Sequence, residues 1–152
     1  MSDSDFYAEP SGSGDGDAYA VRGKAKTKYK SRRNRYANDA SKAVFRLYEC
    51  PDFDSEDDTF EGGRLMLGGG YQNEWENEQP FKGRMKNGIV RCKSVQVYKN
   101  SEMVFTNTDF AGTPEIYCEG KATFINCKNR PKFTSNSTGS MTVDGQTVGA
   151  GK

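Results

Sequence analysis

Short runs of β-branched and aromatic residues, separated by turn formers, fill the chain from about residue 43 onward, and no stretch there sustains the 3.6-residue period of a helix. Residues 43–48 (AVFRLY), 64–67 (RLML), 94–98 (SVQVY), 102–105 (EMVF), 115–118 (EIYC), 122–125 (ATFI) and 140–143 (SMTV) read as strands. Residues 99–101, 111–114, 119–120 and 144–145 supply turns rich in Gly, Asn, Asp and Pro. Only a short helix within 71–88 is compatible with the pattern. Many short strands with regular turn signals predict an all-β sandwich or barrel.

The preceding segment obeys different rules. The chain has 152 residues, of which 34% are hydrophobic and 28% charged, enough for one domain with a polar remainder. Residues 1–20 carry Asp3, Asp5, Glu9, Asp15 and Asp17 and no base, with a linker-like Ser/Gly stretch. The sign then reverses: Arg22, Lys24, Lys26, Lys28, Lys30, Arg32, Arg33 and Arg35 are bases with no acid among them, interleaved with Tyr29 and Tyr36. Such a block cannot neutralise itself. Its even spacing from Arg22 to Lys30 would put the charges on one side of an extended strand. The expected organisation is an extended or disordered arm over 1–42 (acidic 1–20, basic 22–36), a β-domain over 43–145 and a tail over 146–152.

Composition also narrows the chemistry. The chain has no histidine, which removes the usual proton shuttle and the commonest zinc ligand. Cys50, Cys92, Cys118 and Cys127 form no Cys-x-x-Cys pair. Their default state is reduced and buried; the alternative is a pair of disulfides in an oxidising compartment. No apolar run is long enough to span a membrane, and the N-terminus has neither the basic nor the apolar region of a signal peptide. A virion or the cytoplasm is the expected location.

An internal repeat adds a resemblance. Phe105-Thr106-Asn107-Thr108-Asp109-Phe110-Ala111-Gly112 reads aromatic, four residues, aromatic, any residue, glycine. Tyr48-Glu49-Cys50-Pro51-Asp52-Phe53-Asp54-Ser55 repeats the spacing with serine last, and Ser94 and Ser140 each open a later strand. This resembles the βγ-crystallin domain of two Greek-key motifs. The resemblance implies an antiparallel Greek-key β-sandwich in which Tyr48, Phe53 and Ser94 serve the first corner and Phe105, Phe110, Gly112 and Ser140 the second. The glycine of that corner takes a positive φ, which glycine reaches cheaply. Many members of the family bind calcium through Asn/Asp and Ser/Thr residues just before the strand serine. Here residues 89–94 (IVRCKS) offer no carboxylate or amide, and residues 135–140 offer only Asn136 in place.

The acidic stretch Glu49, Asp52, Asp54, Glu56, Asp57, Asp58, Glu61 reads as a solvated hairpin edge, or as a loop that holds a cation or docks the basic arm of a neighbouring copy. The loop 71–81 holds the only Trp, which could anchor a partner or a sugar or cover one end of the sandwich. No residue pattern marks a nucleophile, a phosphate loop or a catalytic pair, so no enzyme activity, cofactor or metal is expected. The leading functional expectation is a non-catalytic structural protein of a larger assembly, such as a virion capsid or tail, docking through the basic residues on an acidic partner or on other copies. The alternatives are nucleic-acid binding by the same residues and a crystallin-like stress or calcium-binding role. From the ligand-poor sequences before Ser94 and Ser140, millimolar calcium should leave the melting temperature unchanged. Tight calcium binding would instead add about 2.7 kcal/mol at a hundredfold excess over Kd, a shift that calorimetry with and without chelator would register.

Overall fold

A computed structural model describes residues 17–18, 21–24, 28–37, 43–68 and 80–152. Every regular element among them is a strand: β1 (Asp17–Ala18), β2 (Val21–Lys24), β3 (Tyr29–Arg32), β4 (Arg35–Ala37), β5 (Ala43–Glu56), β6 (Thr59–Leu67) and β7 (Phe81–Lys86), followed by β8 (Ile89–Val97), β9 (Ser101–Thr106), β10 (Glu115–Cys118), β11 (Lys121–Ile125), β12 (Lys132–Phe133), β13 (Ser140–Val143) and β14 (Gln146–Thr147). The strands expected over 43–48, 64–67, 94–98, 102–105, 115–118, 122–125 and 140–143 lie in or on these elements. Residues 81–86 are a strand, so the helix considered over 71–88 does not extend through them.

The pairing overturns the expected Greek-key sandwich. That fold needs antiparallel neighbours, whereas here each strand from β3 to β11 lies parallel to the strand two places on. β6 pairs with β8 and β8 with β10, while β7 pairs with β9 and β9 with β11. Among the described residues only β13 and β14 run antiparallel. The chain therefore winds as a parallel β-solenoid, and successive strands feed two ladders. Ladder A follows β4, β6, β8, β10 and β12; ladder B follows β3, β5, β7, β9, β11 and β13. The 14-residue β5 serves both, pairing with β2 and β6 through its first half and with β3 and β7 through its second. Phe81 stacks on Ser101 and Phe105 on Phe124, so one rung takes about twenty residues, the low end of solenoid periods.

Alternation along each strand sends every second side chain inward, and parallel register stacks these into columns. One column runs Ser31, Ser55, Met85, Phe105, Phe124, Val143; another runs Phe45, Leu65, Val95, Ile116, Phe133. Phe105 stacks on Phe124 at 5.0 Å between ring centroids, and Phe124 meets Phe133 edge-on at 5.8 Å across the interior. Gly83 makes room in a third column: a Cβ there would stand 2.8 Å from the Met103 sulfur and 2.9 Å from the Phe53 ring. The core does not stop at residue 43. Tyr36 is wholly buried, stacks on Phe60 at 4.8 Å and meets Phe45 edge-on at 5.3 Å. Residues 29–37, grouped with the arm by composition, are strands of the same ladders; residues 1–16, 19–20, 25–27 and 38–42 lie outside the described residues.

One corner recurs in every rung. Arg33, Asp57, Asn87, Asn107 and Asn126 all have φ between 50° and 60°. Each bends the chain where it leaves a strand of ladder B for ladder A. The first four donate their N–H to the next rung: to the carbonyls of Glu56, Lys86, Thr106 and Ile125, at 2.9–3.1 Å. Asn and Asp tolerate this left-handed conformation better than other side chains, which explains their recurrence. At the last rung the Asp144 carboxylate takes the Asn126 N–H at 2.8 Å, in place of a further carbonyl.

The C-terminal end is closed by the chain itself. Asp144-Gly145 turns β14 back onto β13, with φ of 48° and 85°. Val148 donates its N–H to the Met141 carbonyl, and Gly151 bonds the carbonyl of Phe133. The residues expected as a C-terminal tail over 146–152 thus bond to the last described rung. Solenoids need such covers because a bare terminal rung leaves a strand edge and an apolar face open.

The repeated corner sets a test. Asn87→Val should destabilise by about 1–2 kcal/mol, because a β-branched residue is poorly tolerated at this φ, whereas Asn87→Gly should be nearly neutral. Urea titrations of both variants would measure the difference; equal stabilities would show that the left-handed corner is not what Asn87 provides.

Candidate functional site

The basic and acidic segments meet within one chain. In ladder B, β3 lies against the second half of β5, placing Lys30 opposite Asp54 and Arg32 opposite Glu56; β7 then places Arg84 opposite Asp54 and Lys86 opposite Glu56. An acidic rung is thus held between two basic ones. Arg32 donates to Asp54 Oδ2 at 2.9 Å and approaches Glu56 at 3.5 Å. Arg84 reaches Asp52 at 3.0 Å and Asp54 at 3.4 Å, and Lys28 lies 3.8 Å from Asp52. Arg35 bonds Glu61 at 2.8 Å in ladder A. A third column alternates Lys82, Glu102, Lys121.

Asp54 is the best shielded acid of this array, with its side chain 18% exposed. Burial by itself raises its carboxyl, but the Arg32 hydrogen bond and the charges of Arg84, Arg32 and Lys28 together outweigh it and hold it below the ordinary carboxylate value. The Asp54 hydrogen bond in turn raises the Arg32 guanidinium. Exposed pairs of this kind contribute about 0.2–1 kcal/mol each. Their larger effect is on register, since a slip of one rung would set like charges side by side.

Behind the array sits a buried polar cluster. Asp58 follows the left-handed Asp57 and points inward, with no solvent exposure. Its Oδ1 accepts the Asn34 N–H at 2.8 Å, and its Oδ2 accepts the Ser55 hydroxyl at 2.5 Å. Beside it Ser31 and Tyr36 share a hydrogen bond at 2.7 Å, and Tyr36 and Tyr29 another at 3.1 Å. Burial raises the Asp58 carboxyl despite these bonds, and burial pushes the Tyr36 hydroxyl up to about 12. This cluster was not legible in advance: Asp58 reads as one acid among seven until the fold turns it inside.

The basic residues expected to form a partner surface have distinct places. Arg32 and Arg35 are committed to ion pairs within the chain, Lys30 and Arg33 are exposed on the end rung, and Arg22 and Lys24 lie in β2. Lys26 lies outside the described residues, as does most of the Trp75 loop. The crystallin-like octet keeps some local features in a different setting. Phe105 and Phe110 are buried edge-to-face at 5.1 Å, and Gly112 has φ of 92°. The turn swings the buried Thr113 hydroxyl between ladder strands, where it accepts the Cys92 N–H and donates to the Val90 carbonyl. Phe53 is buried in β5, while Ser94 and Ser140 lie in the parallel strands β8 and β13. The side chain of Tyr48 is outside the described residues.

All four cysteines are free thiols, three of them buried. Burial pushes Cys50 and Cys118 up to about 11 and Cys92 up to about 12, so they pack as apolar groups. No helix of the described residues is long and apolar enough to cross a membrane. Comparison with protein-family models, curated proteins and solved structures finds no match for this chain.

Asp54 and Asp58 should respond to pH with opposite signs. Asp54, held low, contributes stability that is present above about pH 3.9 and lost as the pH falls through its lowered value. Asp58, held high, contributes stability that is present below about pH 3.9 and lost as the pH rises through its raised value. Asp58→Asn keeps an acceptor for Asn34 and removes the buried charge. Urea denaturation should therefore show the variant more stable than the parent at pH 7, with the gap closing towards pH 4. A variant that loses more stability at pH 7 than at pH 4 would show that the ionised carboxylate is the favoured form inside.

Proposed function

We propose that this protein is a non-catalytic structural component of a larger assembly, such as a virion capsid or tail, and that it docks on an acidic partner surface through the basic side of ladder B. The observation that supports this reading is the surplus of base left after the internal ion pairs form. Lys30, Arg33, Lys82 and Lys86 are exposed around the acidic rung of Asp52, Asp54 and Glu56. A rigid ladder holds these charges in fixed register, which favours a patterned surface over a mobile counter-ion. The strand that carries Lys30 is also the end rung of its ladder: among the described residues, β3 pairs with β5 alone.

The reading differs in one respect from a free arm gripping a neighbour. Arg32 and Arg35 stabilise this chain, so their reversal would damage the fold as well as any docking. The test uses Lys30→Gln, Arg33→Asn, Lys82→Gln and Lys86→Gln together, with Asn chosen for the left-handed position 33. Light scattering of the native protein should find a complex well above the 16.9 kDa monomer. The quadruple variant should melt like the parent but fail to incorporate. A native protein that stays monomeric in its own source overturns the proposal. So does a variant that still assembles yet loses nucleic-acid affinity at about 0.15 M salt, which would favour the phosphate-binding alternative.

A further inference from the structure

The outer side of ladder A at the C-terminal end carries a groove of about 850 Å³ that the docking face does not use. Its floor crosses β8, β10 and β12, and its walls are Pro114 on one side and residues 134–136 with Gly151 on the other. We propose that this groove binds an uncharged oligosaccharide, with Tyr98 and Tyr117 as its stacking platform. The proposal is independent of the assembly reading, because none of its residues belongs to the basic face.

The lining carries the argument. Tyr98 and Tyr117 pack at 6.3 Å with their planes at 71°, an edge-to-face arrangement in which one ring offers its edge to the other's face. Both are half-buried, so they are fixed by packing yet reachable from solvent. Burial raises both phenols above their ordinary value, so each remains a neutral hydroxyl at physiological pH. Gln96 stands beside Tyr117 across the β8–β10 ladder, and its Oε1 accepts the Tyr98 hydroxyl. That bond orients the carboxamide and leaves its two N–H donors without a partner among the described residues. Glu115 and Lys132 stand opposite each other in register at the groove's edge, both exposed.

A ligand for these groups needs a flat apolar face to lie on an aromatic ring and a rim of hydroxyls that both donate and accept. A pyranose has that combination. A phosphate-bearing ligand fits poorly, since Lys132 is opposed by Glu115 and the charges acting on Tyr98 are of both signs, Arg46 and Arg64 against Glu119. An apolar ligand fits poorly as well, since Gln96, Glu115, Lys132 and Asn136 would be left desolvated along it. The groove is open along the rungs, and three strands about 4.8 Å apart make a floor about 10 Å across, enough for a short run of sugar units. The polar groups are fixed by the ladder before any ligand arrives, which lowers the cost of binding.

The probes are cellotetraose, maltotetraose and chitotetraose, each titrated to about 10 mM against the full chain. NMR would follow the ring signals of Tyr98 and Tyr117, assigned with Tyr98→Phe and Tyr117→Phe. At least one probe should move both rings saturably, with a Kd of about 0.1–1 mM. Tyr117→Ala and Gln96→Ala should each weaken that probe about tenfold or more, while Lys121→Ala on ladder B should bind as the parent does. Tyr117→Phe keeps the ring and should retain most of the affinity, which separates loss of stacking from loss of fold. Ring signals unmoved by all three probes overturn the proposal. Affinity unchanged in both Tyr117→Ala and Gln96→Ala does so too, as does saturable binding of a proline-rich peptide with no response to any saccharide.

Discussion

Everything in this molecule hangs on the parallel hydrogen-bond ladder between one rung and the next. A parallel strand pair has no local turn to hold it together, so each contact joins residues about twenty or more apart in the chain. What makes the ladder possible is the left-handed corner at Arg33, Asp57, Asn87, Asn107 and Asn126. Its positive φ redirects the chain sharply, and its N–H is satisfied by the rung above. The corner is therefore both the bend and a link of the ladder. Once rungs are stacked, inward residues form columns such as Met85, Phe105 and Phe124, and the core is continuous from Tyr36 to Met141.

A stack of this kind is vulnerable at its ends and in its register. The C-terminal end is covered by the Asp144-Gly145 hairpin and the bonds from Val148 and Gly151. Register on ladder B is marked by charge: basic β3, acidic β5 and basic β7 alternate in the same columns. Asp58 adds a buried requirement at the same level of the stack, since only one placement brings its carboxylate to both Asn34 and Ser55. The two surfaces proposed as functional lie at different places on the stack: the basic face over β3, β5 and β7 of ladder B, and the tyrosine groove over β8, β10 and β12 of ladder A.

Much of the local structure was legible and the topology was not. Residues 115–118 and 140–143 were expected as strands and are strands with those bounds, because branched and aromatic residues between Gly, Asn and Pro have few alternatives. The positive φ of Gly112 was also expected, although the turn that contains it joins solenoid strands and not a Greek-key hairpin. Alternating burial looks the same in parallel and antiparallel strands, so the pattern alone could not choose between them. The signal that could have decided was the recurrence of Asn87, Asn107 and Asn126, each following an alternating run that ends in Met85, Phe105 and Phe124. The opposite charges of Lys30, Asp54 and Arg84 gave no such signal, because they are 24 and 30 residues apart and only the fold sets them in one column.

By itself the sequence determined a strand-rich body from about residue 43 onward, the turn positions, and which side chains are too apolar or too charged to be placed freely. These follow from steric preference and hydration, which act on each residue and its immediate neighbours. Only the tertiary structure decided that the strands stack in parallel, that the basic segment lies on the chain's own acidic rung, and that Tyr98, Tyr117 and Gln96 share one groove. Those outcomes depend on which distant residues stand at the same height in the stack. Height is set by the summed register of every rung, and no local stretch of sequence carries that sum.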